Sequence, residues 1–498
     1  MSGALEAQAQ QGLPLRSVRG RLVLAATVGA SAMAGLDATV VNVALPHIGG
    51  DLGAGVSSLQ WVLTGYLLAL ASLILLGGAL GDRYGRRRVF MVGTVWFAAA
   101  SVLCGLAPNI EVLVLARILQ GVGGALLTPG SLAILQASFR EADRAVAVGW
   151  WSGFGGAVFS VGPFLGGGLV DGPGWRWAFL LNVPVCILVL AFSRAVPETR
   201  AEQRGPRFDL GGVVLGVAAL AALTWALTEG GPRGWDDPAV LVGAGIAAVA
   251  GAALVRHLMR TADPLVPPSL FADRTFTVVN LMTVLLYGAI GVSFFLVSYE
   301  LQVAADWSAL AAGSALVPAS VLMLVLSARS GALAQRIGPR PQLVAGPALA
   351  GAGLLLLTRI DESTSWPGDV LPGSVLLGLG LAGFVAPLTA TVMAAADPDH
   401  VSVASGVNNA IARAASLTAL AVVPAASGLA TAADPAGVTH AVRVGLVVAA
   451  LLMVSAVPVA WGLGRRARTT PPAARWHCAI DAPPADGDPA RCPRQPHR

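Results

Sequence analysis

Three ionisable residues stand inside stretches that are otherwise apolar. Asp37 interrupts the run from Leu22 to Leu45, Arg117 the run from Val112 to Gln136, and Arg413 the run from Val403 to Gly428. A charge held in hydrocarbon is costly, so by default it marks a path for ions, protons or substrate. Asp37 lies sixteen residues past Arg21. At 1.5 Å per residue that is about 24 Å along a helix, inside a bilayer core and beyond its midplane. A carboxylate there either gains and loses a proton or bonds the backbone or Thr39 and fixes helix packing. Arg117 must pair or reach an aqueous cavity, unless it anchors backbone carbonyls between helices. Asn409 and Arg413 are four apart and share a helix face. Arg413 is placed to hold an anionic substrate or a carboxylate, or else to pack against the basic turn described next. Further polar or aromatic positions at span depth are candidates for a substrate cavity: Asn42, Tyr66, Gln120, Asn280, Tyr287 and Asn408. Glu300, at one end of its apolar run, reads as a solvated charge.

A second constellation lies outside the apolar runs. Gly77 to Val89 reads GGALGDRYGRRRV, an apolar end, a short turn and a new apolar start. Gly81 and Gly85 allow a sharp turn. Arg83, Arg86, Arg87 and Arg88 hold the turn at the cytoplasmic face of a membrane. Asp82 can accept hydrogen bonds from a helix N-terminus, and the helix starting near Ser402 is the expected partner.

These residues need a membrane scaffold, and the composition supplies one. Of the 498 residues, 55% are hydrophobic and 12% charged, with 60 glycines; a soluble domain would carry about a quarter charged residues. Small residues let transmembrane helices approach closely. A span needs about twenty apolar residues. That ruler predicts helices near 21–45, 59–80, 89–107, 112–136, 145–170, 177–193, 209–228, 239–258, 276–300, 309–330, 342–359, 371–395, 403–428 and 442–463, fourteen in all. With both termini cytoplasmic, twenty-two arginines flank the inner ends and four the outer ends, and moving the register by one helix inverts that bias. The first run reads as an uncleaved helix, not a signal peptide. The +5 net charge therefore reflects topology and not nucleic-acid binding. His477, Cys478, Cys492 and His497 match no zinc spacing, and no metal site is expected. No nucleophile–base set, HExxH or P-loop is present, so no enzyme is expected.

Several stretches resemble a known family. The Gly77–Val89 turn resembles the loop between the second and third helices of the major facilitator superfamily. Gly331 to Arg340, GALAQRIGPR, resembles a degenerate second copy, with Gln335 in the place of Asp82. Leu36 to Pro46, LDATVVNVALP, resembles a signature of the fourteen-span drug:proton antiporter branch, as does Gln60 to Tyr66. Leu115 to Gly123 resembles the family pattern R-x-x-q-G, whose arginine, here Arg117, is implied to assist proton transfer. Trp175 to Pro184 resembles the start of the family's sixth helix, and Ser405 to Arg413 a polar region of the same branch. Gly162-Pro163-Phe164-Leu165-Gly166-Gly167 resembles the antiporter motif G-P-x-x-G-G, associated with exporters; Val158 departs from a common glycine. Pro163 and Gly167 also continue a small-residue stripe from 149, 153, 156 and 160.

The resemblance implies an all-α integral membrane protein with the major facilitator fold. Residues 21–194 would form one six-helix bundle, 195–273 two linking helices and 274–464 a second bundle. Residues 1–20 would be a cytoplasmic segment and 465–498 a disordered cytoplasmic tail. The implied activity is export of small lipophilic or amphipathic compounds, drugs and antibiotics among them, by alternating access. Protons are the coupling ion and no cofactor is needed. The alternatives are a nutrient importer or an exporter of a single natural product. The expected setting is the plasma membrane, and the expected state a monomer. Asp37 and Arg117 would couple protons; Gly81, Asp82, Arg83, Gly85 and Arg86 would switch the conformation; Gly162, Pro163, Gly166 and Gly167 would form the antiporter motif. Asn42, Tyr66, Gln120, Asn280, Tyr287, Asn408, Asn409 and Arg413 would line the substrate cavity.

Overall fold

The helices begin and end where the sequence changes character. Ser17, Asn109, Asp209, Asp237, Asp273, Ser308 and Asp434 each accept a backbone N–H with the side chain and so cap a helix start. The computed structural model describes residues 12–199, 209–261, 264, 266–395, 401–432 and 434–463. In chain order the helices are α1 Val18–Leu52, α2 Val56–Tyr84, α3 Arg86–Gly105, α4 Ile110–Ser138, α5 Glu141–Asp171, α6 Trp177–Leu180 and α7 Asn182–Ser193. After them come α8 Leu210–Arg233, α9 Pro238–Arg260, α10 Arg274–Val303, α11 Ala309–Ala315, α12 Val317–Ile337, α13 Arg340–Leu357, α14 Leu371–Ala394, α15 Val401–Ala426 and α16 Pro435–Ala460.

Among the described residues, twelve helical spans are long and apolar enough to cross a membrane, two fewer than the fourteen expected. The two outside this set have identifiable reasons. The stretch expected at 145–170 lies in α5, most of whose central side chains fall outside the described residues. The stretch expected at 177–193 is short and is interrupted at Leu181 between α6 and α7. The predicted tail at 465–498 also lies outside the described residues.

Helices α1 to α7 pack chiefly on one another, as do α10 to α16. Among the described residues, five helix–helix contacts cross between the two groups: α1 with α10 and with α11, α2 with α15, and α5 with α11 and with α12. Helix α8 packs on α9 and also touches both α2 and α15. Glycine permits the tightest approaches. A Cβ on Gly123 would lie 2.7 Å from the backbone nitrogen of Phe97, which is how α3 and α4 come together.

The groups are joined most firmly at the end far from the Asp82 turn. There the Asp171 carboxylate, at the end of α5, accepts the N–H groups of Ala309 at 3.1 Å and Leu310 at 2.9 Å, capping α11 across the seam. Gln302 of α10 donates to the Val43 carbonyl of α1 at 3.1 Å, and Gln60 of α2 to the Leu420 carbonyl of α15 at 3.3 Å. One apolar core runs through both groups, whereas a second, around Phe90, Phe97 and Leu127, stays within the first.

Candidate functional site

Asp37 and Arg117 meet. Asp37 projects from the middle of α1 and Arg117 from the second turn of α4, and both are fully buried. Arg117 Nη1 lies 2.6 Å from Asp37 Oδ2. The other carboxylate oxygen accepts Gln120 Nε2 at 2.8 Å and Asn182 Nδ2 at 2.9 Å. Gln120 also donates to Ser101 Oγ at 2.8 Å and accepts Arg117 Nη1 at 2.6 Å. Arg117 Nε donates to the Val62 carbonyl of α2 at 2.9 Å. Its guanidinium carbon stands 4.3 Å above the Tyr66 ring and 5.7 Å from that of Phe179, so cation–π attraction adds to the ion pair. Six helices, α1 to α4 with α6 and α7 on either side of the Leu181 break, thus contribute to one network around the carboxylate. Such a network holds a buried charge only because nearly every polar atom is used. Arg117 Nη2, Asn182 Oδ1 and the Tyr66 hydroxyl are the exceptions, each buried without a partner.

The sequence places Asp37 and Arg117 at span depth but not side by side. Gln120, expected in the cavity lining, is a buried member of this network instead. Tyr66 is its floor and only 1% exposed. Ser101, Asn182 and Phe179 were not anticipated as site residues. The available signal was the motif Trp175 to Pro184, which puts Asn182 just after a helix break, and the polar Ser101 within an apolar α3.

The antiporter motif lies against this site. A Cβ on Gly162 would collide with Thr39, two residues past Asp37, and one on Gly166 would lie 3.0 Å from Val40 Cα. On the other side, Gly167 abuts Ala309 and Leu310, and Gly313 of α11 abuts the Pro163 carbonyl. The stripe therefore touches α1 on one side and the opposite helix group on the other. The stripe positions 149, 153, 156 and 160 have side chains outside the described residues.

The basic turn is clamped by its own neighbourhood. Asp82 pairs with Arg86 at 2.8 Å. Gly85 has φ 112°, where an L side chain is strained, and a Cβ there would meet the Glu198 carboxylate. Glu198 accepts the Arg87 N–H at 3.1 Å, and Thr199 accepts that of Arg86 at 3.0 Å. Arg83 lies over the Tyr84 ring at 5.6 Å. Gly81 accepts the Gly85 N–H at 3.0 Å. The expected partner near Ser402 lies outside the described side chains.

The remaining cavity candidates divide. Asn42, Thr39, Pro163, Phe294 and Ser298 line a small cleft at the seam. Asn42 donates to the Ala38 carbonyl at 3.0 Å and its Oδ1 is buried without a partner. In the second helix group Asn408 donates to Asn280 at 3.0 Å and to Thr283 at 2.8 Å. Tyr287, Asn409 and Arg413 are each half-buried. Glu300 departs from expectation. It is 1% exposed and accepts Thr439 Oγ1 at 2.6 Å, because α10 ends packed against α16 and not in solvent.

The fold is that of solved membrane transporters. A peptide transporter POT in complex with sulfate superposes with a TM-score of 0.65 at 15% identity, covering 92% of this chain and 99% of that one. An inward-facing, unoccupied bacterial homolog of the lysosomal transporter Spinster gives 0.64 at 16%, covering 90% and 97%. The sequence profile of the Major Facilitator Superfamily matches residues 27–420, and the chain belongs to that family. It is a multi-pass membrane transporter and not an enzyme. Among curated relatives, the puromycin resistance protein of Streptomyces alboniger is 36% identical over 92% of this chain and 93% of its own length. The multidrug resistance protein Stp of Mycobacterium tuberculosis is 36% identical over 75% and 70%, and the lincomycin resistance protein of Streptomyces lincolnensis 37% over 75% and 77%.

Proposed function

We propose that this protein exports small lipophilic or amphipathic compounds, antibiotics among them, in exchange for protons. The observation that carries the reading is the fully buried Asp37–Arg117 pair beside the Gly162–Gly167 stripe. An interior carboxylate beside the contact between two helix groups is placed to let its protonation bias which end of the bundle is closed. Protonating Asp37 removes one partner of the ion pair, loosens α1 from α4 and alters the surface that α1 offers to Gly162 and Gly166. Export is favoured over import by relatives described as resistance proteins and by the resemblance of the stripe to the exporter motif.

In this reading α1–α7 and α10–α16 are two six-span halves that rock about a central cavity, with α8 and α9 as the linking pair. α5, and α6 with α7, complete fourteen spans. The halves lie on one polypeptide, so one copy suffices. The arginine-rich turns support a topology with both termini in the cytoplasm, and in this reading the chain sits in the plasma membrane. The Asp82 turn and its arginines close the cytoplasmic end in the alternate state.

The test is uptake of fluorescent probes into inside-out oriented proteoliposomes, using ethidium as a cation and fluorescein as an anion. An acid lumen should drive accumulation of at least one probe, and nigericin should abolish it. Accumulation of neither probe, or accumulation indifferent to the pH gradient, would contradict proton-coupled export.

A further inference from the structure

The two arginines that the sequence sets deep in apolar runs, Arg117 and Arg413, differ in their pairing among the described residues. Arg117 pairs with Asp37. Arg413 has, among the described residues, neither an ion pair nor a side-chain hydrogen bond. Its height in the bundle follows from the contacts on either side of it. Helices α2 and α15 run antiparallel: Gly406 lies against Leu75, and Gln60 bonds the Leu420 carbonyl. Interpolation between those contacts sets Arg413 level with Leu67 and Leu68, within one turn of Tyr66. On the other flank, Asn408 bonds Asn280 and Thr283, and Ser416 donates to the Tyr287 carbonyl at 2.9 Å. That sets Arg413 between Thr283 and Tyr287 of α10. The neighbouring polar side chains on its own helix, Asn408 and Asn409, are uncharged.

An interior cation without a counter-ion is expensive unless it faces water or a ligand. Arg413 is half-buried and stands between the two groups, on the Asp82 side of the closed end. Because Asp37 is compensated by Arg117, Arg413 is left as the uncompensated charge at this level. A guanidinium matches the planar, two-oxygen geometry of a carboxylate or related anion, which it can hold by two parallel hydrogen bonds.

We propose that the transported compounds carry an acidic group, a carboxylate or an ionised phenol, and that Arg413 binds it. The inference rests on the exporter reading above and adds the charge class of the substrate. Uncharged compounds bind through apolar contacts alone, and cations are disfavoured by like charge.

The test uses the full chain in the same proteoliposomes. Wild-type protein should accumulate fluorescein in preference to ethidium. Arg413→Gln should lower fluorescein accumulation about tenfold or more, the scale of one charged hydrogen-bonded contact. Arg413→Lys should keep part of it, and Arg413→Glu should shift preference towards ethidium. A measurement on wild-type protein alone guards against variants that fail to fold: 1-naphthoic acid should inhibit fluorescein uptake at least about tenfold better than its amide. Equal inhibition by acid and amide overturns the proposal, as does fluorescein uptake by Arg413→Gln equal to wild type. Gradient-driven ethidium uptake without fluorescein uptake also overturns it and leaves the exporter reading standing, whereas the absence of driven uptake of either probe removes the exporter reading itself.

Discussion

Asp37 holds one cation and two amide donors, and the ion pair is buried at both ends, so its two charges should depend on each other. Removing Arg117 leaves a buried carboxylate with no cation, a loss of about 3–5 kcal/mol. Asp37→Asn leaves the Arg117 cation buried without its counter-ion, so Arg117→Met and Asp37→Asn should each lower thermal stability strongly. The double variant should recover much of the loss, because neither charge remains. Thermal unfolding of the four proteins in one detergent measures this; a double variant whose loss equals the sum of the two single losses would mean that the pair is not the main interaction at this point. Both charges are legible in the sequence because nothing else in a span explains them. Their pairing is not, since they come from helices eighty residues apart whose relative rotation only packing decides. Glu300 shows the converse. Its place at the end of an apolar run suggested solvent, and the close approach of α16 buries it against Thr439.

At the level of elements, the seam depends on residues without side chains. Gly167 lies against Ala309 and Leu310, and Gly313 against Pro163. Gly313→Leu should prop α11 away from α5 and populate a conformation open at the end far from Asp82. The outer ends of α5 and α11 would then lie farther apart by double electron–electron resonance, and driven uptake should fall by about tenfold or more, as small displacements of a working site do. An unchanged distance distribution would show that the contact does not set the closure. Asp171→Asn is milder: it keeps the shape but weakens the cap on Ala309 and Leu310, a loss of about 1 kcal/mol, and should shift the same distribution by a smaller amount. At the opposite end Gly85→Ala puts a strained φ and a clash with Glu198 into the basic turn. Uptake should fall while the far-end distance is retained. The motif glycines were legible from the resemblance, and Gly167 also as part of a stripe of small residues. Which helices they meet was not, because spacing fixes a face but not its neighbour.

For the molecule as a whole, the sequence conveys a membrane protein of the Major Facilitator Superfamily, and the family profile matches residues 27–420. The count of spans was less legible. Twelve meet the demands of length and apolarity, while the Leu181 break makes the sixth a poor match to any simple ruler, and that same break presents Asn182 to Asp37. The structure is closed at the end far from Asp82, with Asp37 and Arg117 sealed from solvent. Among the described residues Asp37 is fully buried, so the proposed coupling requires the bundle to change shape around it. The most direct test separates coupling from movement. In proteoliposomes loaded with fluorescein, or with ethidium if that is the driven probe, Asp37→Asn should still exchange labelled for unlabelled probe at equilibrium. It should fail to accumulate the probe against an imposed pH gradient. Gradient-driven accumulation by Asp37→Asn equal to wild type would contradict the assignment of Asp37 as the proton-coupling residue.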